Sequence, residues 1–139
     1  MKGLPFPILL VDDDEDDRLI IDEAFKEIGY EAEIKKFIGG KALLHYLAQV
    51  DPQLYPSLIV LDNTLPEMEA KELVQILKKN PQAKSIPVVI YTSFISPSKR
   101  EELLAAGAYA CIEKGAVMRD VVEVAKGLKS LAEAHLKDE

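Results

Sequence analysis

The sequence has one cysteine among its 139 residues, and it has no long apolar run. The lone Cys111 excludes an internal disulfide, which is typical of a protein kept in a reducing compartment, so we expect a cytoplasmic location. No segment approaches the ~18 consecutive apolar residues that a membrane-spanning helix requires. The first residues, MKGLPFPILLVDDD, contain two prolines and a short apolar run that stops at acids, which is not the pattern of a signal peptide.

Positive charge is also scarce, because 17 lysines and arginines face 24 acidic residues and leave a net charge of −7. Nonspecific binding to nucleic acid or to an anionic membrane needs a basic surface, so we expect neither partner. Linkers, repeats and low-complexity tracts are absent as well. A chain of this length buries about two thirds of its unfolded surface and needs no disulfide or structural metal to fold. We therefore predict a single domain over residues 1–139.

What the sequence does contain is a regular alternation of β-rich apolar runs and helical stretches. Strands are predicted over residues 6–11, 31–37, 57–62, 87–91 and 109–113. Helices are predicted over about 15–28, 40–49, 70–79, 97–106 and 117–136. Five successive strand–helix units predict an α/β fold, with a doubly wound five-stranded parallel sheet and helices on both faces. The runs ILLV, LIVL and VVI are typical of central strands, whereas EIKKF mixes charged and apolar residues and indicates an edge.

Six consecutive carboxylates, residues 12–17, follow the first predicted strand in the segment ILLVDDDEDD. Asp12 and Asp13 end that strand, and Asp62 ends the third. In open α/β sheets, ligands bind at the carboxyl ends of strands where the winding reverses. If the first and third strands are neighbours, these three carboxylates meet, which costs several kcal/mol unless a cation neutralises them or some protonate. Hard oxygen ligands around a small open site suit Mg²⁺.

Four segments together carry a resemblance to a known family. They are ILLVDDD, LIVLDNTLPEM, IPVVIYTS and GAYACIEKG, in this order along essentially the whole chain. The sequence resembles the response-regulator receiver domain, which is the phosphoacceptor partner in two-component signalling. The 30 residues from Asp62 to Thr92 and the 22 from Thr92 to Lys114 fit the spacing of that family. The resemblance implies a flavodoxin-like (βα)5 fold with strand order 2-1-3-4-5.

The resemblance also implies a phosphoacceptor and a metal site. Asp62 would accept a phosphoryl group and become an aspartyl phosphate. Asp13, Asp62 and the backbone carbonyl of Thr64 would bind Mg²⁺ directly, and Asp12 would bind it mainly through water. The ion would screen the charge of the incoming phosphoryl group.

Two further side chains take roles from the same resemblance. The Thr92 hydroxyl would donate to a phosphoryl oxygen, and the Lys114 ammonium would bridge a phosphoryl oxygen or Asp62. The phosphodonor would be a histidine kinase or a histidine phosphotransfer protein. The chain would signal by phosphorylation-dependent contact with other proteins, with a possible homodimer through the face of the fourth helix, fifth strand and fifth helix. We expect no turnover of an external substrate, so the chain is not predicted to be an enzyme.

The remaining acids of the run have a simpler explanation. Acidic residues at a helix N-cap and first turn satisfy free N–H groups and complement the helix dipole. We assign Glu15, Asp16 and Asp17 to this role, and Asp14 is open to both interpretations. The histidines, His45 and His135, lie in helical stretches without partners at ligand spacing, and we expect both to be structural or solvated.

The chain departs from the family pattern at three places, one of which is Glu69-Ala70 in PEMEA, where the family usually has an acid and a glycine. Gly115 follows Lys114 where the family usually has proline, and Cys111 stands where the family usually has an aromatic residue. We expect a trans Lys114–Gly115 bond, because a cis bond before a residue other than proline costs ~2.5–4 kcal/mol. We expect Cys111 to be a small buried core residue.

Two alternatives stay open. The first is a pseudo-receiver, a binding module of the same fold that is not phosphorylated, and Cys111 and Gly115 motivate it. The second is a phosphatase of the haloacid-dehalogenase type, which also uses an aspartyl phosphate after a strand. That family needs a second aspartate two residues later, where this chain has Thr64.

Overall fold

The computed structural model describes residues 6–30, 33–114 and 118–137. Its strands and helices alternate as predicted. The strands are β1 (Ile8–Val11), β2 (Ile34–Phe37), β3 (Leu58–Leu61), β4 (Val88–Thr92) and β5 (Ala110–Glu113). The helices are α1 (Glu15–Glu27), α2 (Gly40–Gln49), α3 (Ala70–Lys79), α4 (Pro97–Ala106) and α5 (Met118–Lys137).

The five strands form one parallel sheet in the order β2-β1-β3-β4-β5, which confirms the predicted doubly wound fold. Strands β1 and β3 are neighbours, and Val11 pairs with Leu61 at their carboxyl ends. The next residue on each strand is an aspartate, Asp12 and Asp62. These two aspartates therefore leave the sheet side by side, where the winding reverses.

The hydrophobic core lies in two layers, one on each face of the sheet. Alternate residues of a strand point to opposite faces, so Leu9 and Val11 belong to one layer while Ile8 and Leu10 belong to the other. All four are buried, as the continuous apolar run predicts. The edge strand β2 is mostly half-buried, which also agrees with its mixed sequence.

Helices α1 and α5 cover one face of the sheet and pack against each other. Phe25 of α1 and Val121 and Leu128 of α5 belong to the same buried cluster as Ile8 of β1. Helices α2, α3 and α4 cover the other face, where Cys111 is also buried. Among the described residues, helices thus cover the sheet on both faces.

All five strands begin later than predicted, and for β1 and β4 the reason is a proline, which has no N–H to donate to the sheet. Strands β1 and β4 start one residue after Pro7 and Pro87 respectively, and β4 extends one residue further, to Thr92. A short 3₁₀ helix, Pro52–Leu54, lies between α2 and β3. Within the described residues, no helix is both long enough and apolar enough to cross a membrane.

Candidate functional site at the carboxyl edge of the sheet

A largely buried lysine lies at the centre of the crevice at the carboxyl edge of the sheet. The Lys114 Nζ atom donates to Asp17 Oδ2 at 2.7 Å, to Asp62 Oδ2 at 2.8 Å and to Asp12 Oδ2 at 2.9 Å. The lysine side chain is only 11% exposed. Asp12 follows β1, Asp62 follows β3 and Lys114 follows β5, so the parallel sheet itself brings these groups together.

Hydrogen bonds hold both carboxylate oxygens of Asp62. The Oδ1 atom accepts from the Thr64 backbone N–H at 3.0 Å, from the Thr64 hydroxyl at 3.0 Å and from the Thr92 hydroxyl at 3.1 Å. The Oδ2 atom accepts from Lys114. Asp62 and Thr92 are both buried. The orientation of this carboxylate is therefore fixed by three separate parts of the chain.

The two buried aspartates differ in how readily they ionise. Burial raises the pKa of Asp12, and the hydrogen bonds from Lys114 and the Asp14 backbone offset only part of that increase. Burial also opposes ionisation of Asp62, but hydrogen bonds from Lys114 and Thr64 outweigh it and lower the pKa of this carboxyl below its ordinary value. Asp62 is therefore a carboxylate at neutral pH, which is the form that can act as a nucleophile.

The lysine remains charged in this crevice. Burial alone would lower the pKa of Lys114, but hydrogen bonds to Asp17, Asp62 and Asp12 outweigh burial and raise that pKa above its ordinary value. The crevice therefore contains one firmly held positive charge among three acids.

The donor set also fits a divalent cation. Carboxylate oxygens of Asp12, Asp17 and Asp62 lie within 4.8 Å of one another, so a single ion could reach all three. Small hard cations such as Mg²⁺ and Mn²⁺ prefer such oxygen ligands. The three acids outnumber the single lysine, which leaves negative charge in the crevice for a cation to neutralise.

The acids of the 12–17 run have different environments. Asp14 is the N-cap of α1, and its Oδ1 atom accepts from the backbone N–H groups of Asp16 at 2.9 Å and Asp17 at 3.2 Å. Glu15 and Asp16 are exposed in the first turn, as predicted. Asp17 is also in that turn, but its side chain reaches Lys114, which sequence reasoning missed. Its position three residues after the N-cap, on the same side of the helix, was the available signal.

The predicted metal ligand Asp13 lies outside the group of carboxylates around Lys114. Its side chain is exposed, and it lines an open acidic surface with Asp14, Glu15 and Asp16. Among the described residues, the close group of carboxylates contains Asp12 and Asp17 but not Asp13. The structure thus brings Asp12, Asp62, Thr92 and Lys114 together, and the metal-binding roles of Asp13 and of the Thr64 carbonyl stay predictions.

The departures from the family pattern at Cys111 and Gly115 have different outcomes. Cys111 is buried in the core, as predicted, and burial raises the pKa of its thiol. The backbone carbonyl of Cys111 accepts from Arg100 Nη1 at 2.7 Å, which links β5 to α4. Gly115 lies outside the described residues, so the predicted trans bond before it stays a prediction. The side chain of His135 also lies outside the described residues, so the prediction that it is structural or solvated stays a prediction.

Comparison with known proteins identifies the relatives of this chain. A family model described as the response regulator receiver domain matches residues 8–126. FilR2, a probable methanogenesis regulatory protein of Methanothrix harundinacea, is 33% identical over 94 residues, which are 66% of this chain and 61% of FilR2. The response regulator Rcp1 of Synechocystis sp. is 29% identical over 133 residues, which are 91% of this chain and 88% of Rcp1.

Solved structures show the same fold. The Mn²⁺-bound form of Rcp1 has a TM-score of 0.78 at 27% identity, covering 91% of this chain and 93% of the Rcp1 chain. The phosphorylated cyanobacterial phytochrome response regulator RcpA has a TM-score of 0.80 at 26% identity, with the same two coverages. The likeness to both structures extends over nearly all of each molecule.

Proposed function

This chain belongs to the response regulator receiver family, and from that premise we propose that it accepts a phosphoryl group on Asp62. A phosphohistidine of a histidine kinase or a histidine phosphotransfer protein is the proposed donor. A carboxylate oxygen of Asp62 forms the new bond to phosphorus, and the bond from phosphorus to the donor's imidazole nitrogen breaks. The imidazole leaves with that electron pair and takes up a proton.

The observation that carries this proposal is the hydrogen bonding of Asp62. Its two oxygens accept hydrogen bonds from a lysine ammonium and a threonine hydroxyl, and Asp62, Thr92 and Lys114 stand at the carboxyl ends of three adjacent strands. Lys114 and Thr92 are both donors, and both are within reach of groups attached to Asp62. In the proposed role, Lys114 shifts its donation toward a phosphoryl oxygen and Thr92 donates to another, so that the charge of the acyl phosphate is neutralised where it forms.

A divalent cation is part of the proposed site. Asp12, Asp13, Asp62 and the Thr64 carbonyl are its proposed ligands, with Mg²⁺ as the proposed ion. When bound, such an ion supplies positive charge that offsets the repulsion between the carboxylate and a phosphoryl group. Rcp1, which has been crystallised with Mn²⁺, is a relative with a divalent ion. Several acids already lie close together in this crevice, which supports the same chemistry here.

We propose that signalling proceeds through contact with other proteins in the cytoplasm. Exposed apolar side chains on α1, Leu19 and Ile20, lie one turn beyond the crevice and offer a docking surface for the donor. A homodimer through α4, β5 and α5 is a second proposed contact, and the exposed Leu104 and Tyr109 lie on or next to these elements. We propose no turnover of an external substrate.

A pseudo-receiver is the second candidate, and two observations favour it. Cys111 is a small core residue at the position where the family usually has an aromatic side chain. Asp13 lies outside the close group of carboxylates around Lys114. A pseudo-receiver would keep the fold and its contacts without accepting a phosphoryl group.

Phosphorylation by a small donor separates the two candidates. Wild type and Asp62→Asn are incubated with acetyl phosphate, with and without Mg²⁺, and the intact mass is measured. We expect wild type to gain one phosphoryl mass only with Mg²⁺, and we expect Asp62→Asn to gain none. If wild type stays unmodified across donor and metal concentrations, the pseudo-receiver is favoured and phosphoacceptance is rejected. Equal labelling of both proteins would place the phosphoryl group elsewhere.

A further inference from the structure

The first turn of α1 contributes an acid to the crevice that the proposed chemistry does not use. Lys114 Nζ lies 2.7 Å from Asp17 Oδ2, which is closer than its contacts with Asp62 and Asp12 at 2.8 and 2.9 Å. A lysine ammonium has three N–H donors, and these three carboxylates account for all of them. Asp17 therefore completes the hydrogen bonding of Lys114.

Asp17 reaches the crevice because of how α1 begins. The Asp14 side chain caps the helix and accepts from the Asp17 backbone N–H at 3.2 Å. The next residue, Arg18, donates from Nη1 to the Asp12 carbonyl at 2.6 Å and ties the same turn to the end of β1. The Asp17 side chain is half-buried, whereas that of Asp16 beside it is exposed. The direction of Asp17 is thus set by contacts on both sides of it.

The other two acids around Lys114 have competing roles. Asp12 and Asp62 follow strands, and both are proposed to share their oxygens with a divalent cation, with Asp62 also bonded to phosphorus. Each such bond withdraws an oxygen from Lys114. Asp17 lies on a helix and is not among the proposed ligands of the cation or the phosphoryl group, so it is the acceptor that remains for the ammonium.

We propose that Asp17 is a positioning residue, which holds the Lys114 ammonium over Asp62 while Asp12 and Asp62 engage the cation and the phosphoryl group. This proposal rests on the proposed phosphoacceptor function of the same site. It concerns the location of the lysine ammonium.

The first test observes the lysine itself by NMR of its ¹⁵N-labelled ammonium group. Lysine ammonium protons exchange rapidly with water unless hydrogen bonds protect them. We expect a protected signal in Mg²⁺-loaded wild type, assigned by its absence in Lys114→Gln. The signal persists in Asp16→Ala, a matched control that removes an adjacent acid from the same helical turn. It disappears in Asp17→Ala and returns in part in Asp17→Asn, which keeps an acceptor oxygen.

The second test measures the phosphorylation rate with acetyl phosphate at saturating donor and Mg²⁺. We expect Asp17→Ala to lower the saturated rate about tenfold, since a displaced lysine no longer meets the phosphoryl group. Asp16→Ala stays within about twofold of wild type, and Asp17→Asn lies between them. The Mg²⁺ concentration at half-saturation is measured for each variant.

Three results would overturn this role for Asp17. One is an ammonium signal that survives in Asp17→Ala. Another is a saturated rate in Asp17→Ala equal to that of Asp16→Ala. The third is a higher Mg²⁺ concentration at half-saturation in Asp17→Ala with an unchanged saturated rate. That result would make Asp17 a metal ligand instead. If wild type itself is not phosphorylated, the proposed function fails separately, and the ammonium signal alone then decides whether Asp17 holds Lys114.

Discussion

Two charge networks in this molecule have nearly the same distances but opposite environments. In the crevice, Lys114 contacts three aspartates at 2.7–2.9 Å and is 11% exposed. On the surface between α3 and α4, Glu102 contacts Lys99 at 2.8 Å and Lys71 at 2.9 Å, and all three side chains are 36–39% exposed. Solvent screens the second network more than the first, so equal geometry does not mean equal energy.

The comparison also shows how an ion-pair network at a functional site differs from one on the surface. In the crevice, the charges come from strand ends and a helix start that the fold itself holds in place. On the surface, long flexible side chains meet across two helices and lose side-chain entropy when they do so. A network of the first kind can poise a nucleophile, whereas one of the second kind contributes little beyond solubility.

Removing the central lysine should produce the largest difference between the two networks. Lys114→Gln leaves Asp12 and Asp62 buried without their counter-ion, so we expect the free energy of unfolding to fall by about 2–3 kcal/mol in metal-free buffer at pH 7. Added Mg²⁺ should restore part of this loss by mass action. Urea unfolding measures both effects, with Lys99→Gln as the matched lysine deletion in the exposed network. Equal losses in the two variants would contradict the comparison.

The pH dependence of that loss sharpens the comparison further. The Asp62 pKa is lowered from its ordinary 3.8, so its stabilisation is present above that pH and disappears as the pH falls through the folded value. The Lys114 pKa is raised from its ordinary 10.5, so its stabilisation is present below that pH and disappears as the pH rises through the folded value. The difference in the free energy of unfolding between wild type and Lys114→Gln should therefore be largest between pH 3.8 and pH 10.5. If this difference in the free energy of unfolding stays constant from acid to alkaline pH, the proposed link between the ionisation of Asp62 and Lys114 and stability is refuted.

A smaller effect of opposite sign is expected at Asp12. Its pKa is raised, so its ionised form destabilises the folded protein, and Asp12→Asn should increase the free energy of unfolding by about 1 kcal/mol in metal-free buffer at pH 7. This gain should vanish as the pH falls through the folded pKa toward 3.8. Asp13→Asn is the matched control, and its free energy of unfolding should increase less, because Asp13 is exposed. Mg²⁺ should stabilise wild type more than Asp12→Asn, and equal Mg²⁺ responses would count against a cation near Asp12.

The smallest effect is expected in the exposed network. Lys99 and Lys71 lower the pKa of Glu102 to about 2, so any stabilisation it provides is present above its ordinary value of 4.5 and is lost as the pH falls from there toward 2. Because the network is solvated, Glu102→Gln should leave the unfolding midpoint at pH 7 close to that of wild type. Any difference should disappear in 1 M salt. A large decrease in the unfolding midpoint of Glu102→Gln that persists in 1 M salt would show that exposure to solvent does not weaken this network.

The fold could be predicted because its signals are local and redundant. Apolar runs, helix caps and turn residues mark the strands and helices, and the differences between prediction and structure are confined to the ends of these elements, such as the starts of β1, β2 and β4. The meeting of Asp12 with Asp62 also followed, since adjacent parallel strands end at the same edge.

The finer geometry of the site could not be predicted in the same way. Asp13 and Asp17 are both acids in one run, and the sequence alone does not tell which side chain turns toward Lys114, almost a hundred residues away. The answer depends on the path of the loop between β1 and α1, which Asp14 and Arg18 fix by hydrogen bonds. Such contacts involve side-chain rotamers and have no periodic signature in the sequence.

Chemical trapping of the acceptor tests the central claim most directly. Wild type is phosphorylated with acetyl phosphate and Mg²⁺, and borohydride then reduces the acyl phosphate to homoserine, which peptide mass mapping locates. We predict homoserine at position 62 alone, because Asp62 is the ionised carboxylate held by Lys114 and Thr92. Homoserine at position 12, 13 or 17, or trapping at none of the aspartates, would contradict the account.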